Sequence, residues 1–156
     1  TPGEDRPPAH LRNTYNTEEE LFDVLSKNIR EFEENAPEIT EYEEFNTDDA
    51  DLLLIAHGIV FRSAAMAARE LAGEGQKVGY FRPITLRPFP QEELRQAAAK
   101  AKQVMVVESA YGQLLKLVKE NLYGMEVPIK THLRPGVGIT PEEIVADTKK
   151  ILGEGE

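Results

Sequence analysis

Short apolar stretches recur along the chain at intervals of about 25 residues, with polar or amphipathic segments between them. Three stretches are fully apolar and a fourth is mixed: Leu52–Ala56, Val78–Phe81, Val104–Val107 and Val127–His132. Runs of this length predict buried strands, and the helix-length segments between them predict right-handed βαβ crossovers. The pattern therefore predicts a doubly wound α/β domain with a mostly parallel sheet.

The beginning of the chain has a different pattern. Residues 1–16 mix three prolines with charged side chains, which predicts an arm without regular structure. Thr17, with Glu20 three residues later, predicts the capped start of an amphipathic helix. We expect that helix to end before Pro37, because the residue before a proline disfavours helical geometry.

Residues after this helix suggest where the domains divide. Ile39–Phe45 alternates in polarity and predicts a charged edge strand. We therefore assign residues 1–46 to an acidic arm, helix and edge strand, and residues 47–156 to the α/β domain. Within the α/β domain, an alanine-rich helix is expected over about Val60–Ala72, and Pro90 is expected as the first residue of a later helix.

Composition and charge exclude several classes of function. The 156 residues include 18 Lys+Arg and 28 Asp+Glu, a formal charge of −10. No basic stripe is present to contact phosphates, so nucleic acid is not an expected partner. The chain has no cysteine, which excludes disulfides and thiolate ligation of metals and suits a reducing cytoplasm. We find no membrane span, and a start at Thr-Pro-Gly rather than Met suggests a piece of a larger protein.

A ligand crevice is expected at the carboxyl ends of the parallel strands, where the winding of the sheet reverses. If the Leu52 strand is central, the turns that follow it and the Val104 strand lie side by side. Together they would present a polar cluster near a helix N-terminus that could hold an anion: His57, Gly58, Glu108, Ser109, Tyr111, Gly112 and Gln113. We take His57, Gly58, Glu108, Gly112 and Gln113 as the crevice candidates.

Each candidate also has a structural interpretation. Glu108 could pair with His57 for acid–base chemistry, but a carboxylate that caps the next helix is favoured. Ser109 lacks the glycine context of a nucleophile elbow, and Gly112 permits a tight turn. No catalytic residue and no metal ligand is assigned.

A proline-rich loop is the candidate interface. Three prolines between Arg82 and Pro90 stiffen it, so it could present apolar and guanidinium groups at little entropic cost. Arg82, Arg87 and Phe89 are the interface candidates. The alternative is that Phe89 folds back onto the core.

Three stretches together resemble the C-terminal domain of the α subunit of 2-oxoacid:ferredoxin oxidoreductases. They are Asp49–Val60, Lys77–Pro90 and Val106–Gln113. The Phe-Arg-Pro-Ile-Thr-Leu-x-Pro-Phe-Pro run in the second stretch is the most specific part. The resemblance implies a transketolase C-terminal-like fold of three α/β/α layers, with a five-stranded mixed sheet whose Ile39–Phe45 strand is the antiparallel edge.

The resemblance also implies a function and partners. Such a chain would be a non-catalytic domain of an enzyme that decarboxylates a 2-oxoacid oxidatively to its acyl-CoA. Thiamine diphosphate with Mg²⁺, iron–sulfur clusters and coenzyme A would be used by the whole complex, with none held by this chain. The partners would be the rest of the α subunit, the other subunits and, through the complex, ferredoxin.

Two other functions remain open at this point. The chain could be the equivalent domain of another thiamine enzyme, such as a dehydrogenase β subunit or a deoxyxylulose-phosphate synthase. Those enzymes tend to have Asp-Leu-Arg-Thr-Leu-x-Pro-Leu-Asp where this chain has Phe81–Pro90, which disfavours them. An independent module that binds a small ligand in the crevice is the second alternative.

Overall fold

The computed structural model describes residues 14–153, so most of the predicted arm lies outside the described residues. After an N-terminal helix and an edge strand, strands and helices alternate along the chain. The elements are α1 Glu18–Ile39, β1 Tyr42–Phe45, β2 Leu52–Ile55, α2 Val60–Gly73, β3 Val78–Pro83, α3 Gln91–Lys100, β4 Val104–Glu108, α4 Gln113–Asn121, β5 Ile129–Leu133 and α5 Pro141–Ile151. None of the helices within this described part is both long and apolar enough to cross a membrane.

The five strands form one mixed sheet in the order β1-β3-β2-β4-β5. β2 pairs in parallel with both β3 and β4, β4 pairs in parallel with β5, and β1 pairs antiparallel to β3. The Leu52 strand has the central position that the crevice argument assumed, and the antiparallel edge strand is confirmed. The carboxyl ends of four strands therefore meet at one edge of the sheet.

Two apolar layers cover the faces of the sheet. Leu52 and Leu54 of β2 pack with α2 and α5, whereas Leu53 and Ile55 pack with α3 and α4. All four side chains are 0% exposed, because a strand between two helical layers has no solvent-facing side. Four of the five alanines of the predicted alanine-rich helix α2 are buried, which allows this helix to approach the sheet closely: Ala64, Ala65, Ala67 and Ala68.

Helix α1 is an amphipathic helix with no buried residue. The Thr17 hydroxyl accepts a hydrogen bond from the Glu20 amide, as expected for a cap, and the Glu20 carboxylate accepts one from the Asn16 amide. The helix continues through Pro37, so the predicted end before this proline is wrong. Pro37 lies only two residues from the helix end, where it removes a single backbone hydrogen bond and is therefore tolerated.

Two compact units divide between Glu38 and Ile39. β1 pairs along its whole length with β3 and lies in the unit that holds the other four strands, whereas the sequence grouped it with the arm and helix. The edge strand is shorter than expected, since Ile39 still belongs to α1. Pro90 is the N-cap of α3 and not its first helical residue, so the helix begins one residue later than predicted.

Gly79 of β3 provides a test of the contact between this strand and the end of β1. A Cβ at Gly79 would lie 2.6 Å from the Phe45 carbonyl oxygen and 2.9 Å from the Asn46 carbonyl carbon. Because backbone atoms form this contact, we expect Gly79→Ala to lower the free energy of unfolding by about 1–3 kcal/mol. Denaturant unfolding measures the change. Gly73→Ala is the matched control, since no atom lies within 4 Å of its Cβ position, and equal losses in both variants would contradict the prediction.

Candidate functional site

The loops after β2 and β4 lie at the same edge of the sheet, because the two strands are parallel neighbours. All five crevice candidates are at this edge, at the strand ends or in the turns that begin α2 and α4. Gly58 and Gly112 have positive φ angles of 60° and 86°, which residues with a side chain rarely adopt. These two glycines turn the chain sharply from strand to helix.

Glu108 ends β4 with its side chain buried, at 4% exposure. One carboxylate oxygen accepts a hydrogen bond of 2.8 Å from the Leu114 amide, and the other accepts one of 3.4 Å from the Leu115 amide. The carboxylate therefore fills the N-terminus of α4 and satisfies amides that have no partner within the helix. The structure supports the capping interpretation of Glu108, and its own side chain takes the place that an anion could have held.

His57 and Gln113 stand apart from this buried cap. His57 is half-buried, Gln113 is exposed at the first position of α4, and Gly112 is buried at its N-cap. No hydrogen bond joins His57 to Glu108 within residues 14–153, so the structure does not bring these two side chains together as an acid–base pair. The chemistry available at this edge is binding by backbone and apolar groups.

A cavity of about 380 Å³ opens at the same edge, between the loops that follow β2, β4 and β5. Its lining is apolar or hydroxylic: Ile59, Val60, Ser63, Ser109, Gly136, Val137, Gly138 and Ile139. Of these, only Ser109 belonged to the predicted cluster. The sequence pattern predicted a polar cluster at this edge and did not indicate Ile59 or Val137.

His132 and Arg134 contact carboxylates of α5. His132 Nδ1 lies 2.6 Å from an Asp147 carboxylate oxygen, and Arg134 pairs with Glu143. Glu143 also completes the capping box with Thr140, the N-cap of α5. These pairs fasten β5 and its following loop to α5.

Arg82 lies in β3, in a cluster with Glu43 of β1 and Tyr80. The Tyr80 hydroxyl donates a hydrogen bond of 2.7 Å to one Glu43 oxygen, and Arg82 donates one of 3.2 Å to the other. The Arg82 guanidinium also lies 4.4 Å from the centre of the Phe61 ring. Arg69 of α2 donates to the Tyr80 hydroxyl at 3.0 Å. The cluster joins the edge strand to the sheet and to α2.

The cluster shifts the pKa values of Glu43 and Tyr80 in opposite directions. The hydrogen bond from Tyr80 and the neighbouring Arg82 lower the pKa of Glu43 below its ordinary value, although partial burial opposes the shift. Burial, with the hydrogen bond to Glu43, raises the pKa of Tyr80. The ionised carboxylate and the neutral phenol are therefore the forms that the fold favours.

The proline loop, residues 84–90, is fixed at one end and exposed at its tip. The Ile84 and Thr85 amides donate hydrogen bonds of 3.0 and 3.1 Å to the Glu41 carbonyl. The Arg87–Pro88 peptide bond is cis, and Arg87 is exposed. Phe89 is half-buried against the core layer formed with α3 and α4, as in the alternative that the sequence left open.

The donor groups of this chain do not fit the cofactors that the resemblance implies. Iron–sulfur clusters need thiolates, and the sequence has no cysteine. Within the part of the chain that the structure describes, no three His, Asp or Glu side chains converge on a possible metal position. Both oxygens of Glu108 already accept amide hydrogen bonds. No catalytic step is therefore derived through these groups.

Solved structures with a similar fold define the class of domain. A 2-oxoglutarate:ferredoxin oxidoreductase from Magnetococcus marinus, solved with 2-oxoglutarate, coenzyme A and succinyl-CoA bound, matches with a TM-score of 0.75 at 22% identity. The match covers 87% of this chain and 24% of that one. A split-gene transketolase, solved as an inactive β4 tetramer, matches with a TM-score of 0.59 at 24% identity, over 73% of this chain and 42% of that one. The predicted transketolase C-terminal-like fold is confirmed.

Sequence comparison identifies the family. Residues 50–144 match the family model for pyruvate:ferredoxin oxidoreductase core domain II, and the chain belongs to this family. The resemblance drawn from the Phe81–Pro90 run is thus confirmed.

Relatives in Methanothermobacter marburgensis include ketoisovalerate oxidoreductase subunit VorB, 38% identical over 87% of this chain and 38% of the relative. Another is 2-oxoglutarate synthase subunit KorA, 36% identical over 69% of this chain and 28% of the relative. Pyruvate synthase subunit PorA of Methanothermobacter thermautotrophicus is 30% identical over 81% of this chain and 35% of the relative. The chain spans about three tenths to two fifths of the length of these subunits.

The Glu108 cap yields a prediction about stability. Glu108→Ala leaves the Leu114 amide without an acceptor in a buried site, and we expect a loss of about 1–3 kcal/mol in the free energy of unfolding. Glu108→Gln keeps one acceptor oxygen and should lose less. Denaturant unfolding is the measurement, with the exposed Glu120→Ala on the same helix as control. A Glu108→Ala protein as stable as this control would show that the Glu108 cap does not stabilise the fold.

The Glu43–Tyr80 hydrogen bond predicts a pH dependence. A lowered folded-state pKa stabilises the protein above the ordinary glutamate value, and this contribution is lost as the pH falls through the folded-state value. Tyr80→Phe removes the largest cause of the shift. The variant should therefore be destabilised, by about 1–2 kcal/mol near neutral pH and by less near pH 3. Unfolding curves across this range, with the exposed Tyr123→Phe as control, measure the difference; a loss independent of pH would contradict it.

Proposed function

We propose that the chain is the C-terminal, non-catalytic domain of the α subunit of a 2-oxoacid:ferredoxin oxidoreductase. In this proposal, the whole enzyme decarboxylates a 2-oxoacid oxidatively to its acyl-CoA with thiamine diphosphate and passes the electrons to ferredoxin. The observation that carries the proposal is the match of residues 50–144 to core domain II of the pyruvate:ferredoxin oxidoreductase family. The three relatives are named for three different 2-oxoacids, so the proposed substrate class is 2-oxoacids as a group.

The domain would contribute structure to the enzyme while its chemistry takes place elsewhere. Glu108, the one crevice candidate with a carboxylate, serves α4 as a cap. Thiamine diphosphate with Mg²⁺, the iron–sulfur clusters and coenzyme A would accordingly be held by other parts of the assembly. A cytoplasmic location belongs to the same proposal and suits a chain without cysteine.

The proposed partners are the remainder of the α subunit and the other subunits, and ferredoxin through the complex. The proline loop is the proposed contact, with Arg87 and Phe89 on it and Arg82 anchoring the preceding strand. Ile84 and Leu86 at its tip are 44% and 37% exposed, while hydrogen bonds to Glu41 hold the loop in place. A surface that is already ordered loses little entropy when it binds.

The crevice candidates belong to the proposal in a more limited role. His57 and Gln113 flank the turns at the carboxyl edge, and Gly58 and Gly112 shape them. With Glu108 buried beneath, these turns would pack against the domain that binds the cofactor. The alternative of an independent ligand-binding module requires that this edge bind a small molecule in the absence of partners.

Ligand binding by the purified chain, compared with activity of the assembled enzyme, tests the proposal. We expect the full-length subunit, produced with its partner subunits, to reduce ferredoxin with a 2-oxoacid and coenzyme A. The purified chain should show no change in melting midpoint with thiamine diphosphate plus Mg²⁺, with coenzyme A, or with 2-oxoacids. A ligand at 100 times its dissociation constant adds about 2.7 kcal/mol to the folded state, so binding would be visible.

Two results would overturn the proposal. A shift with thiamine diphosphate and Mg²⁺ would place the cofactor on this chain. If the assembled enzyme turns over none of pyruvate, 2-oxoglutarate and 2-oxoisovalerate, the proposed reaction is wrong.

A further inference from the structure

Exposed apolar side chains gather at the carboxyl edge of the sheet. Ile59, Tyr111 and Val137 are 73%, 83% and 50% exposed, and they lie in the loops that follow β2, β4 and β5. Isolated exposed apolar residues are common, but their concentration at one edge is typical of a contact surface. We call Ile59, Tyr111 and Val137 the carboxyl-edge patch.

The cavity of about 380 Å³ lies beside the patch, and both Ile59 and Val137 line it. No charged side chain is part of its lining. The carboxylate of a 2-oxoacid, or a phosphate group, would find no cation in the cavity, and the hydroxyls of Ser63 and Ser109 alone would only partly replace its hydration. The cavity therefore suits an apolar side chain better than an anionic ligand.

Charges around the patch indicate the chemistry of its partner. The loop segments 57–62, 109–113 and 134–140 contain Arg62 and Arg134 and no acidic residue, in a chain of net charge −10. Arg134 is paired with Glu143, whereas exposed Arg62 has no ion pair within residues 14–153. The acidic residues closest in sequence to these segments are Glu108, which is buried as the cap of α4, and Glu142, which is exposed at the start of α5. A carboxylate of the partner would complement Arg62.

The opposite edge of the sheet has a different character. Lys100 pairs with Asp48 at 2.8 Å, and Lys102 pairs with Asp51 at 2.6 Å. Tyr123 is 86% exposed there, and its backbone carbonyl accepts a hydrogen bond of 3.1 Å from Arg95. That edge matches a solvated surface, because its charges are satisfied within the chain.

We propose that the carboxyl-edge patch docks another subunit of the oxidoreductase, through an apolar side chain that enters the cavity and a carboxylate that pairs with Arg62. This inference rests on the proposed function. A second copy of this chain is a poorer partner, because a symmetric contact would set each patch, with its unpaired Arg62, against the same patch. Pockets that receive one apolar anchor are where interfaces concentrate their binding energy.

Affinity between the full-length subunit and its separately purified partner subunits tests this inference. A carboxylate at Ile59 or Val137 would enter an apolar contact next to the partner's own carboxylate. We therefore expect the Ile59→Glu and Val137→Glu variants each to raise the dissociation constant at least about tenfold. Arg62→Glu should raise it about threefold to tenfold and weaken its dependence on salt.

Tyr123→Glu is the matched control, since it places the same charge at an equally exposed residue on the opposite edge. It should leave the dissociation constant within about twofold of the wild-type value. Melting midpoints equal to wild type establish that each variant is folded.

Three outcomes overturn the inference, and one separates it from the proposed function. Unchanged affinity in Ile59→Glu and Val137→Glu overturns it, and so does an equal loss in Tyr123→Glu. If the wild-type subunit alone forms a dimer that Ile59→Glu dissociates, a second copy occupies the patch. If the wild-type assembly has no 2-oxoacid activity, the proposed function fails first, whatever the variants do.

Discussion

Complete burial of β2 is the constraint on which the rest of the structure depends. Its four residues are 0% exposed, so helices must cover both faces of the sheet and parallel strands must lie on both sides. Parallel neighbours require crossover helices, and these begin at the carboxyl edge of the sheet. The same burial that stabilises the core therefore brings the loops after β2, β4 and β5 together and creates the cavity between them.

Glu108 is a charged side chain that the fold buries at this edge and pairs with backbone amides. A carboxylate at 4% exposure would be costly without partners, and the amides at the start of α4 supply them. Because the helix terminus and the carboxylate satisfy each other, neither is available to a ligand. Where β1 joins the sheet, Tyr80 and Arg82 likewise satisfy the Glu43 carboxylate by hydrogen bonds. Both polar clusters consequently stabilise the fold.

The sequence was sufficient for the features that depend on local chemistry. Apolar runs located β2, β3 and β4, and Thr17 with Glu20 located the start of α1. Features that depend on distant contacts were harder to predict. The Glu43–Tyr80 hydrogen bond joins residues 37 positions apart, and nothing local to either residue indicates it. The cavity was missed for the same reason, since Ile59 and Val137 look like ordinary apolar residues until β2 and β5 are placed in one sheet.

The two edges of the sheet suggest how such a domain relates to a larger enzyme. Exposed ion pairs at the amino edge contribute little to stability, but they keep that edge hydrated. At the carboxyl edge, apolar side chains stay exposed although the layers beneath them are already filled. Further burial there would add nothing that the domain needs in order to fold. The exposed groups are better explained by association with another surface, and in doubly wound proteins this edge is also where function is usually located.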